Sequence, residues 1–264
     1  MSSPARLHAL RLSIAALQNP GSAPGARPPV LSLGDARLDG ALAGGGLPLG
    51  CWHEAAGEGL EIETAAAAAA FVATLAAPLL GAAGQGAAVW ILRRDDLYAP
   101  GLASLGFSAG RLIQVRAPSE ASALAALEEA LATPGVAVAV AEVGSTGLTA
   151  GRRLQLACEK TGATGFCLRR RPFGSPVEKA RSQPARAGGS AATTRWRIAP
   201  APSQPAPGEP GLGPPRWRVE LERSRGGRPG AWLLEKSDGT FPLRVVAELG
   251  DRQRATTSSW RLAG

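Results

Sequence analysis

The chain has 264 residues and a formal net charge of +8, with 45% hydrophobic and 19% charged side chains. That length and composition suit one large globular domain with at most a small appendage. Three widely spaced cysteines (Cys51, Cys158, Cys167) and two histidines (His8, His53) argue against a disulfide framework, a zinc site and His-based catalysis.

The charge is segregated. Residues 1–150 carry 8 basic and 12 acidic side chains, whereas residues 151–264 carry 21 basic and 9 acidic. Arginine supplies 26 of the 29 basic groups, which suits bidentate contacts to phosphate or carboxylate. A polyanion or an acidic partner is therefore expected for the C-terminal half. No uninterrupted apolar run reaches the ~20 residues of a membrane span. The nearest, 65–80, is mostly alanine, contains Thr74 and Pro78, and is predicted to be a buried helix. Arg11 interrupts the apolar stretch a signal peptide needs, so no membrane association and a cytoplasmic location are expected.

In chain order, Leu7, Leu10, Ile14 and Leu17 recur at three- and four-residue spacing. Residues 5–18 are thus predicted to form a helix with one apolar stripe, which would pack either on its own domain or on a neighbouring subunit or a partner. Asn19-Pro20-Gly21 ends it, and a Pro/Gly-rich linker runs to Pro29. Strands are then expected at 51–55, 87–92, 112–115, 136–143 and 164–168, alternating with helices at 63–80, 121–131 and 149–160. Short apolar strands alternating with helices predict an α/β fold, a mostly parallel sheet with helices on both faces.

After Arg171 the pattern changes. Residues 172–191 are predicted to be a mobile basic loop and 199–215 a mobile Pro-rich one. Trp-marked strands are expected at 193–198, 216–222 and 231–235, as an antiparallel extension of the sheet. The expected organisation is a helix and linker over 1–29, one domain over 30–250 and a polar tail over 251–264.

The segment from Leu31 to Gly57, with Leu38-Asp-Gly-Ala-Leu42 and Gly45-Gly-Leu-Pro-Leu-Gly50, resembles the approach to the phosphate-binding loop of RecA-like proteins. Continuing without a gap, Gly57-Glu-Gly-Leu-Glu-Ile-Glu-Thr64 falls where that family has GxxxxGK[ST]. Gly57 and Thr64 match, but Ile62 stands at the second glycine and Glu63 at the lysine. Such a loop works because glycine backbone approaches the phosphates and a lysine reaches them. Ile62 blocks the first requirement and Glu63 reverses the charge of the second. Glu58, Glu61 and Glu63 would surround a triphosphate with carboxylates, while suiting the positive end of the following helix. Glu142, ending the 136–143 strand, matches the Walker B acid in type, whereas the family's general base falls nearest an arginine of Arg93-Arg-Asp-Asp96. A pseudo-ATPase without catalytic residues or cofactor is expected.

Within the RecA-like proteins the chain resembles the ImuA family of inducible mutagenesis accessory proteins. The marks are the degenerate loop, Arg152-Arg-Leu-Gln-Leu-Ala157, Thr193-Thr-Arg-Trp-Arg197 and the segment from Trp217 to Arg228. The resemblance implies a non-enzymatic role in SOS-linked, error-prone translesion DNA synthesis. Its implied partners are an ImuB-like inactive Y-family polymerase, with an error-prone C-family polymerase and RecA as further ones. By the same resemblance, residues 172–191 take the place of a DNA-contacting loop, with Arg169, Arg170, Arg171, Lys179, Arg181 and Arg186 as DNA- or partner-binding residues. Any DNA contact is expected to be weak. Arg223 and Arg225 resemble a basic pair that reaches a neighbouring subunit's nucleotide, so they are expected at an interface. Two alternatives are a SulA-like cell-division inhibitor, disfavoured because those are shorter and lack the Arg/Trp-rich strands, and a residual RecA-like DNA-binding ATPase, disfavoured by Glu63.

Overall fold

The computed structural model describes residues 29–81, 86–170 and 191–249. Near its start, β1 (Val30–Leu31) pairs antiparallel with β2 (Leu47–Pro48), and α1 (Ala36–Asp39) lies between them. The Asp39 carboxylate ties this unit together by accepting the Leu33 N–H at 2.8 Å and the Ser32 hydroxyl at 2.6 Å. Leu33, Leu38, Leu42 and Leu47 are thereby buried in the core.

The main body follows as β3 (Trp52–Gly57), α2 (Glu61–Ala76), β4 (Ala87–Leu92), α3 (Ala99–Ala103), β5 (Leu112–Arg116), α4 (Glu120–Ala132), β6 (Val136–Val143), α5 (Leu148–Thr161) and β7 (Thr164–Arg169). β8 (Thr194–Ala201), β9 (Arg216–Ser224), β10 (Gly230–Lys236) and β11 (Leu243–Glu248) complete it. One nine-stranded sheet results, in the order β11-β10-β9-β8-β3-β7-β6-β4-β5. The six strands from β8 to β5 run parallel, and β9, β10 and β11 extend them antiparallel.

The expected α/β architecture, a mostly parallel sheet with C-terminal antiparallel strands, is what the structure shows. Two details differ. β8 was expected in the antiparallel set, yet it runs parallel to β3 and turns antiparallel only toward β9. β11, not foreseen because Arg244 and Glu248 dilute its apolar pattern, forms the sheet edge, where Leu33 O accepts the Leu243 N–H and Arg37 donates to Val245 O. β8 also continues through Pro200, opposite Trp217, so the Pro-rich connection begins later than expected. Its pairing with β3 ends at Ile198, so no ladder there needs the N–H that Pro200 lacks.

Both faces of the parallel strands are covered. On one, α2 brings Phe71 against Trp196 and Trp217, with ring centroids 5.8 and 5.9 Å apart. The alanines of α2 allow this close approach, and its most apolar window is half-buried in the core, as expected of a core helix. On the other face, α4 and α5 enclose Trp52, Ile91, Leu127, Leu131, Leu154 and Cys158. Gly151 makes this packing possible, because a Cβ there would lie 2.8 Å from the Trp52 ring. α5 ends as its sequence predicts, with Gly162 in the left-handed region at φ 79.

Candidate functional site

In a parallel α/β sheet the carboxyl ends of the strands converge on one rim, the usual place for a ligand. Here that rim carries Gly57–Leu60 after β3, Arg93–Asp96 after β4, Glu142 at the end of β6 and Arg169-Arg170 at the end of β7. Register sets them side by side: Ala56 opposes Arg169, and Glu142 opposes Leu168.

The Arg170 guanidinium stands at the centre. It donates through Nε to Glu61 at 2.7 Å, through Nη1 to Glu142 and Asp96 at 2.8 Å each, and through Nη2 to the second Asp96 oxygen at 2.8 Å. Only 11% of its side chain is exposed, and Glu142 is 2% exposed. Burial works against the arginine's charge, but Asp96, Glu61 and Glu142 outweigh it and drive its pKa up. Arg170 in turn holds the Asp96 carboxyl below its ordinary range. The second Glu142 oxygen accepts the Arg93 backbone N–H at 3.1 Å, and Arg94 approaches Glu61 at 3.5 Å.

The degenerate loop closes against this cluster. α2 begins at Glu61, so Ile62, Glu63 and Thr64 already lie in its first turn. Thr64 is buried and its hydroxyl donates to Leu60 O at 3.0 Å. A Cβ on Gly57 would lie 2.2 Å from the Thr64 Oγ1, so Gly57 is needed for the loop to fold down onto the helix. The Glu63 side chain points to solvent. Where a P-loop enzyme joins lysine, Walker B acid and metal through a nucleotide, this chain joins helix start, β4 loop, β6 and β7 through an arginine. With both Glu142 oxygens engaged, a metal could bind there only by breaking the Arg170 pair. Among the described residues no group of His, Cys, Asp or Glu side chains is arranged to hold a metal ion.

Beside it, Glu54 is buried on β3 between Arg169, at 3.1 Å, and Arg195, at 3.2 Å. Arg218 of β9 lies 3.5 Å from Glu58. Part of the charge segregation in the sequence is thus met inside the fold. Arg169, Arg170, Arg195 and Arg218 from the C-terminal half meet Glu54, Glu58, Glu61, Asp96 and Glu142 from the N-terminal half. Arg170 so acquires an internal role that its grouping with outward-facing basic residues does not foresee. The only advance signal was that basic residues end one strand while acidic residues end its neighbours.

A second buried arrangement also escaped the sequence. His53 of β3 lies 2.7 Å from the Thr194 hydroxyl through Nδ1 and 3.0 Å from Pro48 O through Nε2. The Trp196 indole N–H donates to the same hydroxyl at 2.7 Å. With a carbonyl at Nε2, the consistent assignment is a neutral ring that donates there and accepts from Thr194. Burial lowers its pKa to about 4. Cys51, Cys158 and Cys167 are buried free thiols, and burial raises Cys51 to about 11 and Cys167 to about 12.

No family model matches the chain. Protein ImuA of Caulobacter vibrioides strain NA1000/CB15N is 57% identical over 239 residues, 89% of this chain and 96% of that protein. Protein ImuA of the Caulobacter vibrioides strain ATCC 19089/CB 15 matches to the same extent. The chain belongs to the ImuA family. Its connection is therefore to the inducible mutagenesis system. For this ImuA-family chain, Arg225 donates to Ala191 O at 2.8 Å, and the exposed Arg223 lies near the same end of β9. That end is opposite the rim holding Glu61 and Glu63, so any meeting of these groups requires a second molecule. Leu7, Leu10, Ile14 and Leu17, and likewise Arg171, Lys179, Arg181 and Arg186, lie outside the described residues.

Proposed function

We propose that this ImuA-family chain is a non-enzymatic accessory protein of damage-induced, error-prone translesion synthesis. It assembles with an ImuB-like inactive Y-family polymerase, and with an error-prone C-family polymerase and RecA as further partners. The observation that supports a role without catalysis is the Arg170 cluster. A nucleotide entering this rim would have to displace a guanidinium held by three carboxylates, and would meet Glu63 where an enzyme offers lysine. Each carboxylate within ~4 Å of a phosphate costs about 1–4 kcal/mol at surface-like dielectric. The family relationship supports the biological setting.

Titration calorimetry with MgATP tests the first half: no binding heat and no hydrolysis are expected, and micromolar, magnesium-dependent affinity overturns it. Glu63→Lys alone is expected to leave both unchanged, because Arg170, Glu61 and Glu142 remain in place. Co-purification with the ImuB-like polymerase of the same genome tests the second half, and its absence overturns that.

A further inference from the structure

The nine-stranded sheet has two edges, β11 and β5, and they are finished differently. Along β11 the outward backbone is met from within the chain: Leu33 O accepts the Leu243 N–H at 3.3 Å, and the Arg37 guanidinium donates to Val245 O at 3.1 Å. Along β5 nothing among the described residues does this. β5 pairs only with β4, in parallel, from Leu112 opposite Ala88 to Arg116 opposite Leu92. Just past the strand, the Ala117 N–H donates to Leu92 O at 2.9 Å. Backbone groups alternate sides along a strand, so Ile113 and Val115 also turn theirs to β4, and Leu112, Gln114 and Arg116 turn theirs outward. Three N–H and three C=O groups therefore line the open edge at the spacing of a strand.

The side chains leave this edge accessible. Ile113 is 52% exposed, Gln114 is exposed, and Arg116 keeps 72% of its side chain in solvent. Exposed edges are usually guarded by shortness, charges, proline, a bulge or a covering segment. β5 has its shortness and one charge, Arg116 at its end. An edge of alternating donors and acceptors accepts another extended backbone, and β5 is complementary to itself. A two-fold axis through Gln114, with the strands antiparallel, sets Gln114 against the second copy's Gln114 and Leu112 against the second copy's Arg116. Every outward N–H and C=O of both strands is then paired. The pairs between them, Ile113 against the second copy's Val115 and the reverse, are apolar and lie on the face that β4 gives Val89 and Ile91. The two Arg116 side chains stand four residues apart along the ladder, about 13 Å, so salt screens their repulsion. A one-residue slip sets outward groups against inward ones, which fixes the register.

We propose that the open β5 edge is a self-association surface, at which two copies of this chain pair β5 against β5 about a two-fold axis and continue one sheet into the other. Two five-residue strands make a small contact, so the dimer is of the weak, reversible class.

The test is sedimentation equilibrium of the full chain over a concentration series, with melting temperatures measured beside it. The unmodified chain is expected to pass reversibly from one copy to two. Ile113→Lys, which puts a charge on the edge and removes both apolar pairs, is expected to weaken the dimer about tenfold or more while the chain still folds. Val246→Lys, at an exposed site on the opposite edge strand β11, is expected to leave it unchanged. Register is read separately. The two-fold puts residue 114 of each copy about 5.5 Å apart at Cα, within disulfide reach, so Gln114→Cys is expected to cross-link into dimers under copper–phenanthroline, and Val246→Cys is not. The native cysteines are buried and stay out of this reaction. A chain that remains monomeric up to about 1 mM overturns the proposal. So does a dimer that Ile113→Lys leaves intact or that Val246→Lys weakens as much. Should Ile113→Lys fail to fold, the cross-link decides, and its absence from Gln114→Cys overturns the β5 pairing.

Discussion

Arginine–carboxylate pairs hold both the rim of the parallel strands and the antiparallel wing, under opposite conditions. On the rim, Arg170 joins Glu61, Asp96 and Glu142, which are 109, 74 and 28 residues away in the chain. On the wing, Glu235 joins Arg216 and Arg244, its register partners on the adjoining strands, while Arg197 meets Glu222. The rim pairs are enclosed by four converging segments. On the wing, Arg244 keeps 67% of its side chain exposed and Arg197 keeps 38%. Equal chemistry therefore carries unequal value, because water competes for Arg244 and Arg197 on the wing, whereas Arg170 and Glu142 on the rim are largely shut away from it.

The largest expected effect breaks the rim. Arg170→Met leaves the buried Glu142 without its counter-charge and Glu61 with only the more distant Arg94, and is expected to cost about 3–5 kcal/mol in urea denaturation. Adding Glu142→Gln to Arg170→Met is expected to recover part of that loss, since it removes one of the orphaned charges. A loss under about 1 kcal/mol for Arg170→Met would put the rim in the same class as the wing.

Acid probes the seam between the two regions, where His53 bridges β3 and β8. Its folded pKa of about 4 lies below the ordinary 6.5, so the unfolded chain takes up the proton first. Stability is therefore expected to fall as pH drops from ~6.5 toward ~4, by up to roughly 3 kcal/mol. His53→Gln should flatten this slope in pH-dependent denaturation. Asp96 acts in a separate window: its pKa is lowered from 3.8, so its contribution is lost only at still more acid pH.

On the wing, Glu235→Gln is expected to cost about 1–2 kcal/mol, because the buried carboxylate serves two arginines, one of them well exposed. Arg197→Ala is expected to cost no more than about 1 kcal/mol, and less as salt is added. Equal salt sensitivity of Arg170→Met and Arg197→Ala, measured in parallel denaturation series, would erase the distinction between the regions.

Legibility in the sequence followed how local each signal was. β4 and β6 match their expected bounds to the residue, because continuous apolar runs are fenced by Gly86 and Arg93 in one case and by Pro134-Gly135 and Gly144 in the other. β1 and β2 are two residues each, too short for any period to show. The direction of β8 was misjudged because alternation reports which faces are wet, not which neighbour a strand finds. The Glu63 and Ile62 departures were plain in one loop, whereas the replacement for the nucleotide was not, since Arg170 and Glu61 are far apart in the chain. Likewise a run of prolines announces a connection over 199–215, but Gly213 against Gln204 is a contact only the folded chain makes.

By itself, the sequence determined the alternation of strands and helices, the loss of the lysine and glycine a phosphate needs, and the family to which the chain belongs. Each of these is written in residues that act within a few positions of one another. Only the tertiary structure decided where the charge goes. The acidic and basic halves, apart in sequence, are interleaved by the order β8-β3-β7-β6, which brings Arg169, Arg170 and Arg195 to Glu54, Glu61 and Glu142. Composition counts charges but cannot pair them, because pairing depends on strand order, and strand order is set by the packing of α2 on one face and α4 and α5 on the other.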